Sequence, residues 1–102
     1  MADSVVRLAL TGALGVSRYP EIRSAFEGAA REAPVLIDLR EATSVDPTFL
    51  AELLLFQRRR LPARIAVLVA PDGEVARVFG LAAMREKIAV HTDEATALRA
   101  IG

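Results

Sequence analysis

The sequence predicts an α/β domain, a mostly parallel sheet of about four to five strands covered by about four helices. Two apolar runs, Val35-Leu36-Ile37-Asp38-Leu39 and Ile65-Ala66-Val67-Leu68-Val69, are nearly continuous. A strand buried on both faces reads this way, as the centre of a parallel sheet requires. Around them lie segments whose apolar residues recur at three- and four-residue spacings, the period of a helix with one buried side. No internal repeat, low-complexity tract or linker interrupts the alternation. A chain of 102 residues suffices for one hydrophobic core and is too short for two, so residues 1–102 are expected to form one domain.

The elements follow in order. Val5 to Leu10 is partly alternating and reads as a strand with one buried face. Thr11-Gly12 bends the chain into a second short strand around Ala13 to Val16. Pro20 opens a helix to about Arg31, with Ile22, Ala25, Phe26, Ala29 and Ala30 on its apolar side. Pro34 stops it, and the first central strand begins. A polar loop from Arg40 to Val45 leads to Asp46-Pro47 and a second helix to about Arg59, broken by Pro62. After the second central strand, Pro71-Asp72-Gly73 supplies a turn and helix start; Val75, Val78 and Phe79 form the buried stripe, and Gly80 suits the helix end. A last short strand, Ile88-Ala89-Val90, precedes Thr92-Asp93-Glu94, which caps a final helix through Ala97, Leu98 and Ile101.

Composition narrows the function. The chain is 53% hydrophobic and 25% charged, the profile of a globular domain. Thirteen basic residues balance 13 acidic ones, whereas a nucleic-acid binder that neutralises phosphates carries a basic excess. Without cysteine there is no disulfide, thiol nucleophile or thiolate metal site. His91 is the only histidine; at the end of a short strand it reads as a hydrogen-bonded edge residue, since catalysis needs an orienting partner. Pro71-Asp72-Gly73-Glu74 lacks the glycine spacing and lysine of a nucleotide loop. No nucleophile–base pair, carboxylate pair or metal cluster is recognisable, so neither enzymatic activity nor a cofactor is expected. The first residues lack the basic flank and apolar stretch of a signal peptide, and no apolar run approaches membrane-spanning length. The expected location is the cytoplasm, without direct membrane insertion. Arginine-dominated basic charge, with Lys87 the only lysine, and abundant alanine associate with a GC-rich bacterial genome.

The order and lengths of these elements resemble the STAS family, the fold of bacterial anti-sigma factor antagonists and of the cytoplasmic tails of sulphate transporters. The resemblance spans essentially the whole chain. Its most specific piece runs from Pro34 through Val35-Leu36-Ile37-Asp38-Leu39 to Asp46, similar to the family's central strand and the loop ending in aspartate. Leu50, Leu53 and Leu54 match apolar positions on the next helix, and Phe79-Gly80-Leu81 and Thr92-Asp93-Glu94-Ala95 resemble later segments. The resemblance implies a STAS-like, mostly parallel sheet and a role in signal transduction and transcription regulation through protein–protein interaction. The implied partners are an anti-sigma factor kinase, another STAS protein in a regulatory scaffold, or the ATPase of an ATP-binding-cassette transporter. In phosphorylatable members a serine or threonine follows the aspartate directly, and its phosphorylation breaks the complex. Here that position is Pro47, which has no hydroxyl, and Phe49 stands where the family usually has glycine. The usual switch therefore does not transfer.

The loop and helix at Asp46 hold the candidate site. Aspartate is a favoured helix cap and proline is preset for the first helical position, so Asp46-Pro47 has a structural reading compatible with a docking surface. Thr48 is a candidate displaced phosphoacceptor, its hydroxyl turned by about 100° from the usual one. On the helix, Leu50, Leu53, Leu54 and Gln57 form the stripe expected against the sheet. Phe49, Leu55 and Phe56 then exceed what one buried side needs. Either the two phenylalanines tuck under neighbouring loops, or they form a partner-binding patch or a homodimer surface. The partner-binding residues expected on this basis are Asp46, Pro47, Thr48, Phe49, Glu52 and Phe56. A small-ligand or nucleotide-binding regulatory domain is the alternative, because parallel sheets bind ligands at the carboxyl ends of their strands.

Overall fold

The computed structural model describes residues 5–28, 32–60 and 63–101. Its strands are β1 (Val6–Ala9), β2 (Gly12–Leu14), β3 (Val35–Asp38), β4 (Ala42–Val45), β5 (Ile65–Leu68) and β6 (Ala89–His91). The helices are α1 (Tyr19–Glu27), α2 (Pro47–Arg60), α3 (Glu74–Leu81) and α4 (Glu94–Ile101). Strands β1, β3, β5 and β6 form one sheet in the order β1-β3-β5-β6, every pair parallel. The two apolar runs are its central strands, as their composition predicts, and the apolar side chains of β3 and β5 are buried on both faces.

Alternation along those strands divides the interior. Val35, Ile37, Ile65 and Val67 face α1, α2 and α3, while Leu36, Ala66 and Leu68 face Ala97 and Ile101 of α4. Asp93 caps α4 as expected, its Oδ2 accepting the Thr96 N–H at 2.9 Å and the Thr96 hydroxyl at 2.8 Å.

Expectations are corrected in three regions. The segment Arg40–Val45 is not simply a polar loop, because it contains β4, which pairs in parallel with β2 in a separate two-stranded sheet. Its polar sequence, Ala-Thr-Ser-Val, becomes a strand through that pairing and not through local propensity. The register shifts between Gly12 and Ala13, and Gly12 adopts a φ of 78° there, which a glycine takes without steric cost. Second, α3 runs through Gly80 to Leu81, and Val16, expected in β2, lies exposed in a 3-10 turn over Val16–Arg18.

The third correction concerns α2. Phe49 is 0% and Phe56 7% exposed, buried together with Leu50, Leu53 and the Arg60 side chain. These residues span an arc of about 120°, rotated by about 60° from the expected stripe. The helix packs against α1 as well as the sheet: the Phe26 and Phe56 rings stack with centroids 4.3 Å apart and planes 10° from parallel. Leu54 and Gln57 are only half-buried, and Gln57 Nε2 donates to the Lys87 carbonyl at 2.8 Å. The expected positions Ala29, Ala30 and Arg31 on α1, and the break at Pro62, lie outside the described residues.

Candidate docking site

Because β2 and β4 run parallel and adjacent, the loops that leave them emerge side by side. The β4 loop is only Asp46 before α2 begins, and the β2 loop is Gly15 and the 3-10 turn before α1. They are joined by one carboxylate. Asp46 Oδ1 accepts the Phe49 N–H at 2.8 Å, which caps α2, and the Tyr19 hydroxyl at 2.6 Å. The Tyr19 hydroxyl holds the Asp46 carboxyl below its usual pKa, with the Phe49 N–H adding to the effect. Burial in turn pushes the Tyr19 phenol up, reinforced by the hydrogen bond to Asp46. The start of α1 and the start of α2 thus share a single hydrogen-bonded knot.

Arg18 pins the other side of this knot. Its Nη1 donates to the Thr11 carbonyl at 2.9 Å and the Ala13 carbonyl at 3.2 Å, and its Nε and Nη2 form a fork with Glu21 at 2.8 and 2.9 Å. The loop so held displays Val16, which is 73% exposed. Pro47 and Thr48 are exposed on the neighbouring loop, and the next turns of α2 present Ala51, Leu55, Arg58 and Arg59. Glu52 is half-buried and accepts from Arg23 Nη2 at 3.0 Å; the Arg23 guanidinium carbon lies 6.0 Å from the Tyr19 ring centre. A cleft of about 720 Å³ between α1 and α2 is lined by Arg23, Phe26, Glu27, Leu55, Phe56 and Arg59, among others.

Of the expected site residues, Asp46, Pro47, Thr48 and Glu52 lie along one side of the molecule. Phe49 and Phe56 do not stand exposed beside them: Phe49 is fully buried, and Phe56 is buried except for an edge that lines the cleft. Physically, α2 is covered on two sides, by the sheet and by α1, and both rings fill the space between. Val16, Arg18 and Tyr19 were not among the expected residues. Tyr19 carried a readable signal, as the only tyrosine in the chain, placed at a helix start; a buried phenol requires a hydrogen-bond acceptor.

A second polar cluster lies at the carboxyl edge of the main sheet, on the α4 side. Asp38 accepts from Arg7 Nη1 at 3.1 Å and Arg40 Nη2 at 2.9 Å, and both arginines also pair with Glu94. Hydrogen bonds from the Arg40 side chain hold the Asp38 carboxyl below its usual pKa. His91 ends β6, opposite Leu68. Its buried Nε2 has no hydrogen-bond partner among the described residues, so the expected bond is not made there. Among the described residues no group of three metal-ligating side chains forms, and no helix is long and apolar enough to cross a membrane.

A family model described as "Mlab, STAS domain" matches residues 1–92. The fold is similar to the crystal structure of a proposed anti-sigma factor antagonist from Thermotoga maritima, with a TM-score of 0.79 and 15% sequence identity. The match covers 97% of this chain and 88% of that one. No curated protein matches the chain.

Proposed function

The chain belongs to the STAS domain family, and from that premise we propose that it works by binding another protein and performs no chemistry of its own. The observation that carries this reading is the knot at Asp46. The carboxylate is occupied by the Tyr19 hydroxyl and the Phe49 N–H, which holds the loop in one shape and leaves Pro47 and Thr48 displayed. A surface set before binding loses less entropy when a partner docks. The docking surface comprises the loop at Asp46, Pro47 and Thr48, the adjacent Val16, and the exposed side of α2 from Ala51 through Glu52 to Leu55. Phe49 and Phe56 support it from behind.

Pro47 offers no phosphoacceptor, so the interaction is constitutive or controlled from the partner's side. Thr48 is the one hydroxyl at the start of α2; a phosphate there would meet a favourable helix dipole yet point away from the usual direction. The partner classes are a bacterial anti-sigma factor kinase, another STAS protein or a transporter ATPase, met in the cytoplasm. The small-ligand alternative has less support, because arginine–carboxylate pairs already occupy part of the sheet's carboxyl edge.

The test is co-purification with one defined member of each partner class from the same genome, using the wild type and an Ala51→Arg variant. Ala51 is exposed, so the variant should keep the wild-type melting temperature. Binding of one partner by the wild type and its loss in the variant is the expected result. Equal binding by both overturns the surface, and binding of none overturns the reading. Mass spectrometry after incubation with the kinase should find Thr48 unmodified.

A further inference from the structure

We infer that the cleft between α1 and α2 seats an acidic amphipathic helix of the partner protein. The inference rests on the docking reading above and adds the chemistry of what docks. The floor of the cleft is apolar: the stacked Phe26 and Phe56 rings, edged by Leu55, which is 39% exposed. Its volume of about 720 Å³ lies in the range that accepts several side chains. Among the described residues both walls are helices and no strand edge lines it, which suits a helix laid in a groove better than an added strand.

Charge selects the occupant. Arg7, Arg18, Arg23, Arg40 and Arg77 each pair with a carboxylate of the chain. Arg58 and Arg59 are exposed and form no ion pair among the described residues. They stand at the end of α2 that borders the cleft, where Arg59 lines it and the Arg60 guanidinium lies 5.1 Å from the Phe56 ring centre. Arg23 is neutralised by Glu52 inside the cleft, and Glu27 faces it from α1. With Arg23, Arg59 and Arg60 set against Glu27 and Glu52, the lining keeps a net positive charge, and its excess lies on the α2 side. An entering helix that offers leucines to the phenylalanine floor and carboxylates to Arg58 and Arg59 satisfies both features, whereas a basic helix would set its cations against these arginines.

The probe is a synthetic amphipathic peptide with leucines at positions i, i+4 and i+7 and glutamates beside them, titrated into the ¹⁵N-labelled full chain. A second peptide carries lysines in place of the glutamates. The expected result is shifted amides over Arg23–Glu27 and Leu55–Arg60 with the glutamate peptide and weaker binding of the lysine peptide. An Arg58→Gln/Arg59→Gln variant should weaken the glutamate peptide about fivefold, as two exposed ion pairs would. Glutamine keeps α2 intact and adds no carboxylate near its negative end. Equal affinity of the two peptides, an unaffected variant, shifts confined to Val16–Ala51, or no shift at about 1 mM peptide overturns the inference. The defined partner separates the two levels. If it is lost with Ala51→Arg but kept with Arg58→Gln/Arg59→Gln, the cleft assignment alone fails; if it is lost with neither, the docking reading fails as well.

Discussion

The two faces of the main sheet are built differently. Beneath α1, α2 and α3 lie all four phenylalanines and the single tyrosine, packed on Val35, Ile37, Ile65 and Val67. Beneath α4, among the described residues, the buried ones are Leu36, Ala66, Leu68, Ala97 and Ile101, bordered by the charged cluster of Arg7, Asp38, Arg40 and Glu94. The first face holds the fold and also positions the docking loop, since Tyr19 and Phe49 belong both to that core and to the Asp46 knot. The second is thin, and no residue of the docking surface depends on it. The hydrophobic contribution to stability follows the area removed from water, so damage to the two faces should differ in size and in consequence.

The largest expected effect tests that asymmetry directly. Phe49→Ala should cost about 3–5 kcal/mol in urea unfolding, the range for truncating a buried aromatic ring. Ile101→Ala, in the last turn of the last helix, should cost about 2 kcal/mol. Equal losses would show that the α4 face contributes as much as the aromatic one and would break the comparison.

Next in size is the knot. Asp46→Ala should cost about 1–2 kcal/mol, toward the upper end for a helix cap, because it also strands the buried Tyr19 hydroxyl. Asp93→Ala, which removes the cap of α4, should cost less, since its side-chain partner Thr96 is within the same helix. Thermal melts of the two variants side by side decide the order. The same loss in both would mean that the Tyr19 bond adds nothing to the cap.

Acid sharpens the contrast further. Asp46 and Asp38 both have folded pKa values below the ordinary carboxylate value. For a depressed pKa the stabilisation is complete above the unfolded value, about 4, and is lost as pH falls through the lower folded value. Asp46 is held by neutral donors, the Tyr19 hydroxyl and the Phe49 N–H, whereas Asp38 is held chiefly by arginine. Salt should therefore shrink the Asp38 contribution and leave that of Asp46 nearly unchanged. Melts of Asp46→Asn and Asp38→Asn between pH 3 and pH 6, at low and high sodium chloride, check this. An Asp46 contribution that fades with salt would point to an ionic partner in place of the hydroxyl.

The sequence revealed these features unevenly, for physical reasons. The central strands were legible because burial on both faces demands unbroken apolar runs, and the aspartate caps of α2 and α4 because capping is local. Strand β4 was not, since Ala42–Val45 owes its extended form to pairing with β2. The phase of α2 is not legible, because the periodicity shows how wide an apolar side is, not how many neighbours share it. Once α1 is known to pack on that helix, Phe49 and Phe56 fall inside its buried arc, toward the edge where Phe56 stacks on Phe26. The link from Tyr19 to Asp46 crosses 27 positions, a distance that no spacing rule spans.

The smallest expected effect on stability belongs to the exposed side of α2, and there the comparison bears on function. Leu55→Glu replaces a residue that lies nearly opposite the buried arc, so its cost should stay within about 0.5 kcal/mol, a melting shift of no more than about 4 °C. Phe56→Glu, one residue further along, would place a carboxylate against the Phe26 ring and should unfold the domain. Adjacent positions given the same new side chain thus separate the core from the surface. If α2 is the docking helix, Leu55→Glu should retain the wild-type circular dichroism and lose the partner, because a carboxylate at the cleft edge repels an acidic helix. A folded Leu55→Glu variant that still binds with full affinity would move the interface off this part of α2, toward Val16 and Thr48.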